Sequence, residues 1–309
     1  MIRWLLRKAL IGAAFWLLGP MAVVFGHSVL VPERVGVFEE HAGATFARAG
    51  HGPYAYHAPE DVGMPYQFEI GPVAGFGAPE ARRWYGFGPT VGAPRPVLVL
   101  LHGGGRTGVS MIDMWRDLAG REDIILLAPD ARSTQWSLLT DGPMFLAALL
   151  KDAAARYPLD MDRIYLAGHS DGGAHAMRIA NLGGGPFKAV VTHSGHSPMP
   201  RVIPALNPVP IHSFVGDLDV VFTVDSSRAA LKHLARAGHP TSLTVIPGHN
   251  HWYYGIGKSL AAVMWHRLTK STPEMSDPAP SPVELVQRPT PEPRNRAAGA
   301  KWISVPQGE

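Results

Sequence analysis

Cysteine is absent from the 309 residues. That excludes disulfides, thiolate nucleophiles and cysteine-ligated metals together. Charge is sparse as well: charged residues make up 17%, and 28 Lys and Arg stand against 25 Asp and Glu. The basic side chains are scattered and form no stripe that could follow a phosphate backbone, so no nucleic-acid partner is expected. There is no His-Glu-x-x-His pattern, and no carboxylate set accompanies the fifteen histidines, "HSGH" (193–196) and "HNH" (249–251) included. No metal is expected on these grounds. No internal repeat occurs.

What is present begins with one long uncharged run. "MIRWLLRK" carries Arg3, Arg7 and Lys8, and residues 9–26 follow without a charge. Residues 1–31 read as a membrane anchor or a secretory signal peptide. The length of the run and the poor cleavage motif around Gly26 favour the anchor. Either way, the basic flank stays cytoplasmic and the rest of the chain is exported.

Residues 32–80 are rich in Gly, Pro, Ala and His with weak periodicity, and read as a linker and cover strand. From residue 81 the rhythm changes. Short apolar runs at 96–101 and 123–128 read as buried strands, 162–168, 187–194, 208–216 and 241–247 also read as strands, and "RRWYGFG" (82–88) alternates like one. Helical spacing occupies 110–119, 143–157, 171–182, 225–238 and 253–268. Strands alternating with helices predict an α/β domain over 81–270: a doubly wound, mostly parallel sheet with helices on both faces. Residues 271–309 are proline-dense and aperiodic, and read as a disordered tail.

Ligands bind at the carboxyl ends of such strands, and the chemistry-bearing residues cluster there. "GHSDG" (168–172) is Gly-x-Ser-x-Gly between a buried strand and a helix. That turn would lift the Ser170 hydroxyl above the sheet and aim the Asp171 N–H at a developing oxyanion. "LLHGGGRTG" (100–108) follows another buried strand. It offers further oxyanion donors, Gly104 first with Gly103 or Gly105 beside it, while His102 braces the loop. A serine hydroxyl needs a base, and the base needs a carboxylate; such serine chemistry implies no cofactor. After Ser170, "FVGDLDVVF" (214–222) offers Asp217 and Asp219, and "IPGHNHWYYG" (246–255) offers His249 and His251. Trp136 and Gln135, beyond another strand, are candidate pocket residues.

These motifs, with "RRWYGFGP", "DRIYLAGHSDGGAHAM" and "GHNHWY", resemble the α/β-hydrolase superfamily over residues 80 to 270. The resemblance is greatest to the group of feruloyl esterases and poly(3-hydroxybutyrate) depolymerases. It implies the α/β-hydrolase fold and a serine esterase. The group's acid motif, laid on "VGDLDVVF", selects Asp219 and puts Val215 where the group has His. His251, directly before the closing helix, is preferred as base, leaving His249 to line the pocket. Only 48 residues lie between Ser170 and Asp219, so no large cap domain is expected and the site should admit bulky or polymeric esters. An amidase or peptidase on the same residues is the alternative, and an inactive membrane-anchored binding module a further one. Nothing in the sequence sets the oligomeric state.

Overall fold

A computed structural model describes residues 35–48, 55–71, 79–183, 185–197 and 203–270. The stretches 1–31 and 271–309, read as anchor or signal and as tail, lie outside the described residues. Among those described, no helix is long and apolar enough to cross a membrane.

The described strands form one sheet: β1 (Phe38–Ala42), β2 (Met64–Ile70), β3 (Glu80–Phe87), β4 (Arg95–Leu101), β5 (Ile125–Pro129), β6 (Leu159–His169), β7 (Phe187–His193), β8 (Ile211–Gly216) and β9 (Thr241–Ile246). Their spatial order is β1-β9-β8-β7-β6-β4-β5-β3-β2. Pairing is parallel from β1 through β5, and antiparallel where β3 joins β5 and β2 joins β3. Five α-helices are described: α1 (Gly108–Glu122), α2 (Pro143–Ala154), α3 (Asp171–Asn181), α4 (Val224–Arg236) and α5 (Gly257–Lys270).

Alternating side chains of a strand face opposite sides of a sheet, and the core divides accordingly. Leu98 and Leu100 of β4 pack with Ile112 and Trp115 of α1 and Leu260 and Met264 of α5. Val97, Val99 and Leu101 pack on the other face with Leu146 of α2, Ile179 of α3 and Leu231 of α4. Both faces are therefore covered, which is why β4 and β5 read as continuous apolar runs.

Several boundaries differ from the sequence reading, each for a local reason. Residues 32–80 are more than a linker and cover strand: they supply β1 and β2, the outer strands of the described sheet. In β2 only Phe68 is fully buried, so an edge strand carries little apolar signal. Helix α2 stops at Ala154 rather than 157, because Pro158 disfavours helical geometry at Tyr157. Strand β8 starts at Ile211, not 208, since Pro208 and Pro210 have no N–H to donate. The closing helix is in two parts, a short 3-10 turn over Tyr253–Gly255 and then α5.

Candidate active site

Ser170 sits in the turn between β6 and α3 with φ 53° and ψ −122°. A side-chain-bearing residue held there costs about 1–3 kcal/mol, so neighbours must fix it. The Ser170 N–H donates to the His193 carbonyl at 2.9 Å, and the Ala174 N–H donates to the Ser170 carbonyl at 2.9 Å. The flanking glycines allow the helix to lie directly on the strands. A Cβ on Gly172 would stand 2.3 Å from the Leu101 carbonyl oxygen and 2.5 Å from that of His102. Neither backbone atom can move away without shifting β4. Gly172→Ala is expected to destabilise the fold by about 3 kcal/mol, measured as a lowered urea midpoint. An unchanged midpoint would mean that the turn is looser than described.

Two loops at the carboxyl ends of β8 and β9 converge on this serine. His251 Nε2 is 3.0 Å from Ser170 Oγ, and His251 Nδ1 is 2.9 Å from Asp219 Oδ2. The Asp219 side chain is 0% exposed and that of His251 27%. The other carboxylate oxygen, Asp219 Oδ1, accepts the N–H groups of Val221 and Phe222 at 2.8 and 2.9 Å. Burial pushes the Asp219 pKa up, but hydrogen bonds from His251, the Phe222 N–H and Ser194 outweigh it and hold the value below the ordinary carboxylate range. Asp219 is thus an anion, and it fixes the imidazole proton on Nδ1. The lone pair on Nε2 is left facing the serine hydroxyl, which donates to it. The Phe222 ring lies against the His251 ring at 5.6 Å and 23°.

The alternatives to these two residues are placed elsewhere. Asp217 is exposed. His249 does not line an open pocket as expected: it is buried, with Nε2 2.9 Å from His193 Nε2. Burial, then the nearby Arg48 cation, lower its pKa to about 4. His193 touches His169 in turn, Nδ1 to Nδ1 at 3.1 Å. Burial pushes the His169 pKa down to about 3 and that of His193 well below the ordinary value. Among the described residues, no group of three or more His, Asp or Glu is arranged to hold a metal ion.

The glycine loop after β4 stands over the serine. A Cβ on Gly103 would be 3.4 Å from Ser170 Cβ. The Gly105 N–H donates to the Thr134 carbonyl at 2.7 Å, which removes it as an oxyanion donor. The N–H groups of Gly103, Gly104 and Asp171 meet no backbone acceptor among the described residues. His102 holds this loop from behind. Its Nε2 accepts the Ala131 N–H at 3.0 Å, so Nδ1 carries the proton and donates to the Gly103 carbonyl at 2.8 Å. Burial lowers its pKa and keeps it neutral.

Two pocket expectations change here. His102 and Trp136 do not line the mouth: both are buried, Trp136 to 4% exposure. Trp136 Nε1–H donates to the His102 carbonyl at 2.8 Å, and its ring packs against those of His102 and His175. Its apolar ring and its one donor are both satisfied inside, so it supports the glycine loop. The Asp171 carboxylate, given no part in the sequence reading, accepts the Trp136 N–H at 2.7 Å. It ties the loop after β5 to the start of α3.

That loop has an anchor the sequence did not reveal. Asp141 is buried and accepts from Arg82 Nη2 at 2.5 Å, the Ser137 N–H at 2.9 Å and the Arg132 N–H at 3.1 Å. An arginine among the apolar residues of β3 was the one available signal, since a buried cation needs a partner.

A mostly parallel sheet with helices on both faces thus carries a serine at a strained strand–helix turn, with an aspartate and a histidine arriving later in the chain. Solved structures share this arrangement of elements. One, an α/β hydrolase, GrgF from Penicillium sp. sh18, matches with a TM-score of 0.51 over 66% of this chain and 98% of that chain, at 13% identity. The fold is that of the α/β-hydrolases. A thermostable esterase matches with a TM-score of 0.53 at 21% identity over 66% of this chain and 62% of that one. A ferulic acid esterase matches at 0.51 and 19%, over 65% and 96%. Peptidases are among the other structures with the α/β-hydrolase fold that match. No family model and no curated protein matches the chain.

Proposed function

We propose that this protein is a serine hydrolase that opens carboxylic esters through an acyl-enzyme. The observation that carries the reading is the continuous line Asp219–His251–Ser170, with contacts of 2.9 and 3.0 Å, on a strained turn beside backbone N–H groups that meet no backbone acceptor among the described residues.

The chemistry follows from the geometry. Ser170 Oγ attacks the acyl carbon while its proton passes to His251 Nε2. Asp219, already ionised, stabilises the imidazolium that forms. The carbonyl oxygen gains charge within reach of the Gly103, Gly104 and Asp171 N–H groups, which are oriented before reaction and add no reorganisation cost. The imidazolium protonates the departing alcohol. Water, deprotonated by the same nitrogen, then releases the acid and restores Ser170.

An apolar and bulky ester fits the surroundings. Leu218, Val220 and Val221, on either side of Asp219, expose large apolar surfaces, Val220 to 88%. Between Ser170 and Asp219 the described chain forms α3, β7 and β8 with their loops, and no inserted cap domain. The basic and uncharged runs at 1–26 support placing this domain outside the cytoplasm, tethered or released; the mature N-terminus is the measurement that separates the two.

A fluorophosphonate probe tests the reaction class. Wild type should be labelled at Ser170, Ser170→Ala should not be, and a soluble nitrophenyl ester should turn over far faster than the matched anilide. A folded wild type that takes no label would remove the enzyme reading. Equal or faster anilide turnover would replace the esterase with an amidase.

A further inference from the structure

Beneath the site lie three histidines that the reaction above does not use. They come from three separate stretches: His169 from the end of β6, His193 from the end of β7, and His249 from the loop after β9. All three are buried. We propose that they are positioning residues for Ser170, His251 and Asp219, joined in one hydrogen-bond chain whose donors all point the same way. The proposal rests on the hydrolase reading for its consequence in turnover, but the chain itself can be observed without it.

The direction of the chain follows from its acceptors. His169 Nδ1 lies 3.1 Å from His193 Nδ1 and 3.3 Å from the His193 carbonyl oxygen. A carbonyl only accepts, so His169 Nδ1 carries the hydrogen. His193 Nδ1 therefore accepts, and in a neutral ring its hydrogen sits on Nε2. From there it donates to His249 Nε2 at 2.9 Å. His249 must then carry its own hydrogen on Nδ1, a buried atom with no partner among the described residues. The opposite direction would set His169 Nδ1, as a lone pair, against the carbonyl oxygen of His193.

His193 is the hub, because it reaches each member of the reacting set. Its carbonyl accepts the Ser170 N–H and so holds the strained turn. Its Nδ1 fixes the His169 ring, which lies 5.2 Å from the His251 ring at 38°. Its Nε2 is 3.4 Å from Ser194 Oγ, and the Ser194 hydroxyl bonds to Asp219. Rotation of the His193 ring therefore disturbs base and acid together. A displacement of about 1 Å at a reacting group can cost ~100-fold in rate.

Two measurements test this. Nitrogen-15 spectra of the wild-type imidazoles at pH 7 should show hydrogen on Nδ1 of His169 and His249 and on Nε2 of His193. The second uses variants at His193. Asparagine places its amide where Nδ1 was and keeps the contact with His169; glutamine reaches only the Nε2 position; phenylalanine keeps the ring and neither contact. His193→Phe should lower kcat about 100-fold with KM within about threefold. His193→Asn should recover at least 10-fold of that loss, and His193→Gln should not. The low-field proton between His251 and Asp219 should persist in His193→Asn and vanish in His193→Phe, a readout independent of turnover. If the phenylalanine variant does not fold, the asparagine–glutamine comparison decides. The reverse tautomers, or a glutamine variant equal to asparagine in rate and spectrum, would overturn the proposal. Expected tautomers and an intact low-field proton in an inactive wild type would sink the hydrolase reading and leave the chain standing.

Discussion

Asp219→Asn should lower kcat on a soluble ester by about 10⁴-fold, while Asp217→Asn should stay within about twofold of wild type. The asymmetry comes from where the imidazole proton sits. Asp219 Oδ2 accepts from His251 Nδ1 and so keeps the lone pair of Nε2 on the serine. An asparagine amide can turn its NH₂ toward Nδ1 and move the imidazole proton to Nε2. That removes the acceptor from the serine hydroxyl, and the loss of the correct tautomer is worth about this factor in a serine protease with the same three residue types. The amide also cannot stabilise an imidazolium. Asp217 is exposed and makes no side-chain hydrogen bond among the described residues. Circular dichroism must show both variants folded, because Asp219 also caps its own loop through Val221 and Phe222. A large loss with Asp217→Asn and none with Asp219→Asn would move the acid and require the β8 loop to be rebuilt.

Stability should fall steeply between pH 7 and pH 5. Eight histidines, at 102, 169, 175, 193, 196, 212, 239 and 249, have their pKa lowered, in every case chiefly by burial. In the unfolded chain each titrates near 6.5. Below that pH the unfolded state binds protons that the folded state refuses, so stability rises with pH. The contribution is complete above about 6.5 and is lost as pH drops toward the folded values, about 3 for His169 and about 4 for His249 and His212. One fully buried histidine loses about 2 kcal/mol by pH 5. His169 and His249 together should therefore cost on the order of 4 kcal/mol, with the other buried histidines adding to it. Urea unfolding at pH 7, 6 and 5 reads this directly, and replacing His212 by glutamine should flatten the slope slightly. A midpoint independent of pH over that range would mean that these imidazoles are hydrated in the folded protein.

The parts of this architecture that were legible in the sequence are those whose cause is local. The Ser170 turn needs glycines next to it in the chain, so "GHSDGG" announces it. Strands buried on both faces need unbroken apolar runs, and β4 and β5 have them. Edge strands need neither: β1 reads "FEEHA", and its place beside β9 is decided by pairing across about two hundred residues. Asp219 and His251 were narrowed to pairs by position after strands; the resemblance then chose Asp219, and the place directly before the closing helix chose His251. Trp136 was visible as an aromatic on a ligand-side loop, but nothing nearby says that its N–H would find the His102 carbonyl and turn it inward. Arg82 and Asp141, and the three histidines under the site, meet only because the sheet order brings distant segments together.

The direction of β1 and α5 carries one more consequence. Phe38 pairs with Thr241 at the start of β9, so Val35 lies at the amino end of the parallel strands. Helix α5 leaves the His251 loop and descends beside α1, with Lys258 near Asp113 and Asp117 and Trp265 packed on Tyr165. Lys270 therefore lies toward the same end. Both outward connections of the described body leave from its floor, while Ser170 opens at its roof. Any mooring joined at Val35 holds the domain by the underside and turns its working face away from the point of attachment. An ester too large to diffuse would then reach the serine at the end of the sheet opposite Val35 and Lys270.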